Sequence, residues 1–329
     1  MKFIDSGFEI IEQQSGMDGL FKHIEKVSRT CYKSEDKITE NSAKIMINAL
    51  VKNMHTAMLE HGTIYLYREF DPKDNSIETQ RWKSRYNVNP YSKQVMICDS
   101  TKDVCYITTN YRVIIENGWE DDLKYLCEPT EIHEKRYTVK FITSIGIGRE
   151  ITRHRAMSFA QESSRYCNYS KGKFNKELTF IIPQWIYDCQ ADEASYVDSL
   201  TGDPMDWLMD LHGEKLVNQL TCEDRAAAAW VENLERCEQD YMYLLSGMDG
   251  YQLKPEEARG ILPMDTKSEI VVTGFKKDWI HFFNLRSYIA MTGKPHPDIM
   301  ILANNLLQEF LDKKYIKYEE LYHKTEVAT

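Results

Sequence analysis

The chain has 329 residues, with 41 Lys+Arg against 51 Asp+Glu for a formal net charge of −10, and is 42% hydrophobic and 28% charged. These proportions describe a globular chain and exclude a disordered polymer, a collagen and a small disulfide scaffold. The acidic balance argues against broad binding of nucleic-acid polymers or anionic membranes, which needs a basic face, yet leaves room for a local basic pocket.

At ~150 residues per domain the length allows two domains or one elaborated domain. The expectation is one domain over 1–329 with an insertion at about 71–136. Asp5 and Glu9 interrupt the apolar start MKFIDSGFEI, so a signal peptide is not expected. No stretch approaches the ~18 uncharged apolar residues of a membrane span. Eight cysteines lie scattered without a CxxC pair. They read as free thiols in a cytoplasmic setting, and no metal site is expected.

In chain order, 17–33 opens as a helix and turns irregular. Residues 41–60 predict a helix capped at Asn41 or Ser42, with an apolar stripe of Met46, Leu50, Met54 and Met58. GTIYLYREF (62–70) alternates as a strand. The stretch 71–136 is polar and aromatic, rich in turn signals, and KQVMIC with VCYITT reads as a hairpin. KRYTVKFITS (135–144) returns to a strand. A long helix is expected from Glu223 to Ser246, capped by Thr221 and stopped at Gly247. Pro255 starts a short helix, 268–275 is a strand, 276–291 is an amphipathic helix, and a further helix follows Pro297. Helices mixed with a few antiparallel strands indicate α+β: a central, mostly antiparallel sheet flanked by long helices, with a β-rich insertion.

Gly146-Ile147-Gly148 follows a strand and precedes a helix, as a dinucleotide fingerprint does. Ile151 stands where the third glycine belongs and no βαβ alternation follows, so it reads as a strand-to-helix turn.

The chemistry concentrates in REITRHRAMSFAQESSR, where Arg149, Arg153, His154, Arg155 and Arg165 fall within seventeen residues, interleaved with Ser158, Gln161, Ser163 and Ser164. Guanidinium forks match phosphate oxygens, and hydroxyls complete such a shell. Projected as one helix, the segment puts Arg153 on the apolar arc of Ala156, Met157, Phe159 and Ala160, with His154 opposite. Arg286 lies beside the apolar stripe of its helix, and Arg259 adjoins another apolar run. Each fits a structural ion pair or solvated basic face; together they also fit one shared polyanionic ligand, a phosphorylated small molecule.

These residues resemble a known family. Arg153-His154-Arg155, seven residues and Ser163 resemble the RHR-x7-S signature of the flavin-dependent thymidylate synthases. SFAQESSRY is similar to that family's S-x-N-E-x-S-x-R-Y run, HTAMLEH (55–61) to its histidine–glutamate–histidine segment, and ARGILP with FFNLR to its AR-x-x-LP and FLNLR segments. The resemblance implies conversion of dUMP to dTMP with methylenetetrahydrofolate as carbon donor, NADPH as reductant and FAD as cofactor, in a homotetramer.

Carried over by position, Glu150, Arg153, Gln161, Ser163, Ser164, Arg165, Arg259 and Arg286 would bind dUMP. Arg286, beside the pyrimidine, would be the catalytic group. His55, Glu60, Arg153, His154, Arg155, Gln161, Lys277 and His281 would contact FAD. Ala160, Gln161, Phe275, Lys277 and His281 depart from the family's usual Asn, Glu, Asn, Arg and Asn, and Glu150 from a usual glutamine, so the dUMP half transfers better than the flavin half. Ser163 or Cys167 as a nucleophile is the rival chemistry; neither has a recognisable relay around it. A sister enzyme adding a hydroxymethyl group, and a non-catalytic nucleotide- or RNA-binding module, are the other readings.

Overall fold

The structure is a computed structural model that describes residues 1–191, 222–248, 250–290 and 293–321. Thr221, expected to cap the long helix, and Met291 and Thr292, expected to end the amphipathic one, lie outside the described residues.

The central sheet holds β2 (Gly7–Ile10), β6 (Arg136–Ser144), β9 (Lys267–Phe275) and β7 (Ser158–Gln161) in the order β2-β6-β9-β7, all antiparallel. Strand alternation sends Val139, Phe141, Ile270 and Val272 to one face. There they meet Trp279, Phe282 and Phe283 of α9 (Lys276–Arg286) and Leu302, Leu306 and Phe310 of α10 (Pro297–Asp312). The other face lies under α1 (Gly16–Tyr32), where Val27 and Cys31 pack on Ala160 and Val271.

A short parallel pair, β1 (Lys2–Ile4) with β8 (Thr179–Ile181), packs under α7 (Cys222–Ser246) through Phe3, Phe180, Val231 and Tyr241. α6 (Gln184–Ala191) precedes the first undescribed stretch, and α8 (Pro255–Ala258) begins at its proline as expected. Gly247, at φ +71°, ends α7 in the left-handed conformation that glycine adopts without strain.

A second sheet is ordered β3 (Thr63–Phe70), β5 (Asp103–Asn110), β4 (Lys93–Cys98); two of its three strands fall in 71–136, and the anticipated hairpin is β4–β5. The stretch 71–136 is not purely β. α3 (Ile77–Arg85) and α4 (Tyr111–Asn117) also form: Trp82 and Tyr86, at the end of α3, bury fully in one core with Phe70 and Ile107, and Tyr111 and Ile114 of α4 join it. Leu20 and Ile24 of α1 join this core, so α1 lies between the two sheets.

Three helix expectations are corrected. α2 (Ser42–Lys52) stops well short of residue 60; Met54 takes φ +57° and is 76% exposed, and a 3-10 turn covers Thr56–His61. A residue in left-handed backbone cannot continue an α-helix. The projection of 149–165 as one helix fails too. α5 (Ile145–Ile151) ends early, a turn follows, and Ser158–Gln161 joins the sheet as β7. Helix propensity across four such residues differs by ~1 kcal/mol, whereas burying Met157 alone contributes ~2 kcal/mol; tertiary pairing wins. α9 likewise ends at Arg286, where Ser287 turns extended.

Candidate functional site

Strand β6 leads into α5, whose first turn is capped by Ser144 Oγ accepting from Ile147 N at 3.2 Å. The antiparallel partner β9 leads into α9. Both helices therefore rise from the central sheet, and Glu150 on α5 meets Arg286 at the end of α9. Arg286 Nη1 donates to Glu150 Oε2 at 2.6 Å, Nη2 to the Glu150 carbonyl at 3.3 Å, and Nε to His154 Nε2 at 3.2 Å. Because His154 Nε2 accepts, the proton of a neutral ring sits on Nδ1. Burial, then Arg286 and His281, push the His154 pKa down to about 4, so the neutral ring is the form at pH 7.

A groove of about 400 Å³ opens beside this clamp. Arg153, Arg155, Lys277 and His281 supply its polar rim, and Met157, Ile280 and Leu285 its apolar wall. The outcome reverses the helical projection: Arg153 is exposed on the rim and His154 is buried. His281 stands edge-on to His154, ring centroids 6.0 Å apart. Gly274 of β9 lets the wall close, since a Cβ there would lie 2.9 Å from Met157 Cγ.

A second cluster gathers around the loop after β7. Gln161 Nε2 donates to Ser268 Oγ at 3.1 Å, and Ser163 N donates to the Cys31 carbonyl at 2.9 Å. Arg165 pairs with Glu256 of α8 at 2.7 Å. Its hydrogen bond holds that carboxyl below its usual range, with Arg259 adding attraction. Arg259 itself is exposed, against the expectation of apolar surroundings. Beneath the loop, buried Glu162 accepts from Lys267 Nζ at 2.8 Å and from Tyr169 Oη at 3.1 Å.

The model of the family described as "Thymidylate synthase complementing protein" matches residues 128–313, more than half of the chain. The chain belongs to that family. It is 27% identical over 172 residues to a flavin-dependent thymidylate synthase of Synechocystis sp., covering 52% of this chain and 66% of the relative. It is 24% identical over 174 residues to a probable flavin-dependent thymidylate synthase of Paramecium bursaria Chlorella virus 1, covering 53% and 65%. The chain thus spans just under two-thirds of the length of each. Two structures of a UMP/dUMP methylase, PolB from Streptomyces cacaoi, bound with 5-Br dUMP or 5-Br UMP, align over 95% of this chain and 93% or 92% of theirs, at 15% or 16% identity and a TM-score of 0.40.

Within this member of the thymidylate synthase complementing protein family, a single chain brings Glu150, Arg153, His154, Arg155, Lys277, His281 and Arg286 together at the groove. Gln161, Ser163, Ser164, Arg165 and Arg259 belong to the second cluster or its loop. Gly148 bridges the two, because a Cβ there would sit 2.9 Å from Gln161 Nε2. This is what the glycine of the fingerprint lookalike serves. Ala160 is 1% exposed and packs on Val271, so its departure from the family pattern belongs to the core.

His55 and Glu60 lie outside the matched stretch and do not line the groove. His55 is exposed, and Glu60 pairs with Arg112. The Glu60 carbonyl accepts from half-buried Arg136 at 3.0 Å, and Arg136 lies over the Phe275 ring at 5.4 Å. Asp278 and Asn284 also line the groove, though no role was expected of either; Asn284 stands inside the FFNLR segment, and for Asp278 the spacing with Lys277 and His281 along α9 is the signal that could have found it. Cys167 is buried and its thiol is pushed up to about 12 by burial, which removes it as a nucleophile. Among the described residues no helix is long and apolar enough to cross a membrane.

Proposed function

We propose that the chain converts dUMP to dTMP with methylenetetrahydrofolate as carbon donor, NADPH as reductant and FAD as cofactor. The observation that carries this reading is the Arg286 guanidinium, fixed by Glu150 and His154 at the wall of a cationic groove. Family membership and the names of the curated relatives support it.

The groove suits a flavin dinucleotide in kind. Arg153, Arg155 and Lys277 offer charge to a pyrophosphate, and Met157, Ile280 and Leu285 offer apolar surface to a planar ring. Bound flavin supplies the hydride that completes the methyl group.

The rest falls to the chain's own side chains. Glu150 and His154 hold Arg286 in one orientation, so its charge is in place before the uracil ring becomes electron-rich. Preorganised charge of this kind is usually the largest catalytic contribution. Arg286 works as a fixed cation, because a guanidinium does not give up its proton near neutral pH. Ser163, Ser164, Arg165 and Arg259 hold the dUMP phosphate, and Gln161 a polar edge of the nucleotide. Arg165 exchanges its Glu256 partner for phosphate. The dUMP and flavin contacts are completed in a homotetramer.

The test is the visible spectrum of the purified protein, followed by mass analysis of the product from dUMP, methylenetetrahydrofolate and NADPH. The expected results are a yellow protein and a product one methyl group heavier. A colourless protein that FAD does not reconstitute would overturn the reading, and a hydroxymethyl product would replace it with the sister reaction.

A further inference from the structure

Strand β4 is the edge of the second sheet, and among the described residues no strand pairs with its outer side. Val95, Met96 and Ile97 are 39%, 43% and 45% exposed, and only Lys93 at its start carries a charge. Natural edge strands are blunted by mid-strand lysine, proline or a bulge, because unpaired backbone groups template further pairing. Here the middle of the strand has none of these.

The backbone pattern fixes which residues are open. Asp99 N donates to the Lys102 carbonyl at 3.1 Å, closing the hairpin with a hydrogen-bonded pair. Antiparallel pairs alternate, so Ile97 opposite Val104 and Val95 opposite Tyr106 bond to β5. Gln94, Met96 and Cys98 then point their N–H and C=O groups outward.

We propose that β4 pairs antiparallel with β4 of a second copy of this chain, with Met96 facing Met96 across a two-fold axis. This register satisfies the open backbone groups, with Gln94 facing Cys98 and Met96 facing itself at outward-bonding positions, and of the registers that do so it is the one centred on the strand. The side chains agree. Val95 faces Ile97, and Lys93 faces Asp99 at each end, so opposite charges meet twice. Lys93 sits 5.7 Å from the Phe275 ring centroid and its charge also acts on Asp278, but among the described residues no carboxylate lies within ion-pair distance of it. Asp99 uses Oδ1 for Thr101 and Lys102, which leaves Oδ2 for the lysine of the second copy. The two three-stranded sheets become one continuous sheet. A self-complementary edge of this kind selects another copy over an unrelated strand. The proposal is independent of the groove's chemistry.

The test is a register-specific cross-link in the full chain. In a Cys98→Ser background, Val95→Cys with Ile97→Cys places two thiols across a non-hydrogen-bonded pair, about 4.5 Å between Cα atoms and inside disulfide range. Mild oxidation should give a covalent dimer on a non-reducing gel. Gln94→Cys with Ile97→Cys puts the thiols on opposite faces and should give none. Adding Met96→Pro to the first pair removes an outward N–H without touching the β4–β5 ladder, and should abolish the link. No dimer from the first pair, equal dimer from both pairs, or a wild-type chain that is monomeric by light scattering would overturn the proposal.

Discussion

Arg286 Nε lies 3.2 Å from His154 Nε2, and the same guanidinium reaches Glu150 at 2.6 Å, so one side chain ties α9 to the turn after α5. The guanidinium therefore has a structural and a proposed electrostatic task, and mutation separates them. Arg286→Ala leaves a half-buried carboxylate and a buried imidazole without their donor, which costs about 1–3 kcal/mol of stability. Loss of a preorganised charge at the reacting ring should lower dUMP turnover by about 100- to 1000-fold. Arg286→Lys keeps the charge but cannot fork to both partners, and should recover stability more than turnover. Turnover within a few-fold of wild type in the alanine variant would remove Arg286 from the mechanism.

The acid side of the stability profile follows from buried histidines; burial lowers His133, and shifts three others to values far from the ordinary one. His23 and His154 are pushed down to about 4 and His61 to about 3, each chiefly by burial, from an ordinary value of 6.5. In the unfolded chain these rings take up protons below pH 6.5; in the fold His23 and His154 do not until about pH 4, and His61 not until about pH 3. Their contribution is complete above pH 6.5 and is lost as pH falls toward 4, at about 1.4 kcal/mol per pH unit for each ring. Glu269, held at about 2 despite burial by Lys267 and Lys33, extends the loss below pH 4.5. His61→Asn keeps a partner for Thr273, which His61 Nδ1 now meets at 2.8 Å, and removes one titrating ring. Urea midpoints across pH 4–6.5 should then show a shallower slope. An unchanged slope would mean that His61 does not bear this load.

The arginine-rich segment was legible as chemistry and illegible as shape. Residue types alone marked Arg153, His154, Arg155, Arg165, Arg259 and Arg286, and spacing carried the family resemblance. Whether 158–161 is helix or strand depends on Thr273, Val272, Val271 and Ile270 lying alongside, a contact across more than a hundred residues of chain. No local period reports such a partner, so the exposure of Arg153 and His154 came out exchanged. The hairpin of the insertion was readable because its turn and alternation are local. Its helices were not, because Trp82 and Tyr86 gain their burial from β3 and β5 rather than from an amphipathic repeat.

Asp122 should anchor the second sheet and its helices. Its carboxylate accepts from Trp82 Nε1 at 2.8 Å and Tyr86 Oη at 2.7 Å, and pairs with Arg85 at 3.1 Å. Asp122→Ala strands two buried donors and a cation, an expected loss of about 3 kcal/mol. The loss should be local: hydrogen exchange should accelerate across 77–125 while β6 and β9 keep their protection. Uniform acceleration would show that the second sheet and the central sheet unfold as one unit.

Gly148 offers a test of Gln161 that leaves the fold nearly untouched. A Cβ at this position would lie 2.9 Å from Gln161 Nε2, the far end of a flexible side chain, so the amide can move aside at the expense of its 3.1 Å bond to Ser268. Alanine in a helix gains about 1 kcal/mol over glycine, and one lost hydrogen bond costs about 1 kcal/mol. Stability of Gly148→Ala should therefore stay close to wild type. If Gln161 holds the nucleotide, its displacement should raise the KM for dUMP about 5- to 10-fold, the equivalent of one hydrogen bond, with kcat changed much less. Gln161→Ala should reproduce the KM effect, and the double variant should add little, since both changes act on one amide. A KM that stays at the wild-type value in both single variants would take Gln161 out of the substrate site, whereas a large drop in melting temperature for Gly148→Ala would show that the contact matters to packing instead.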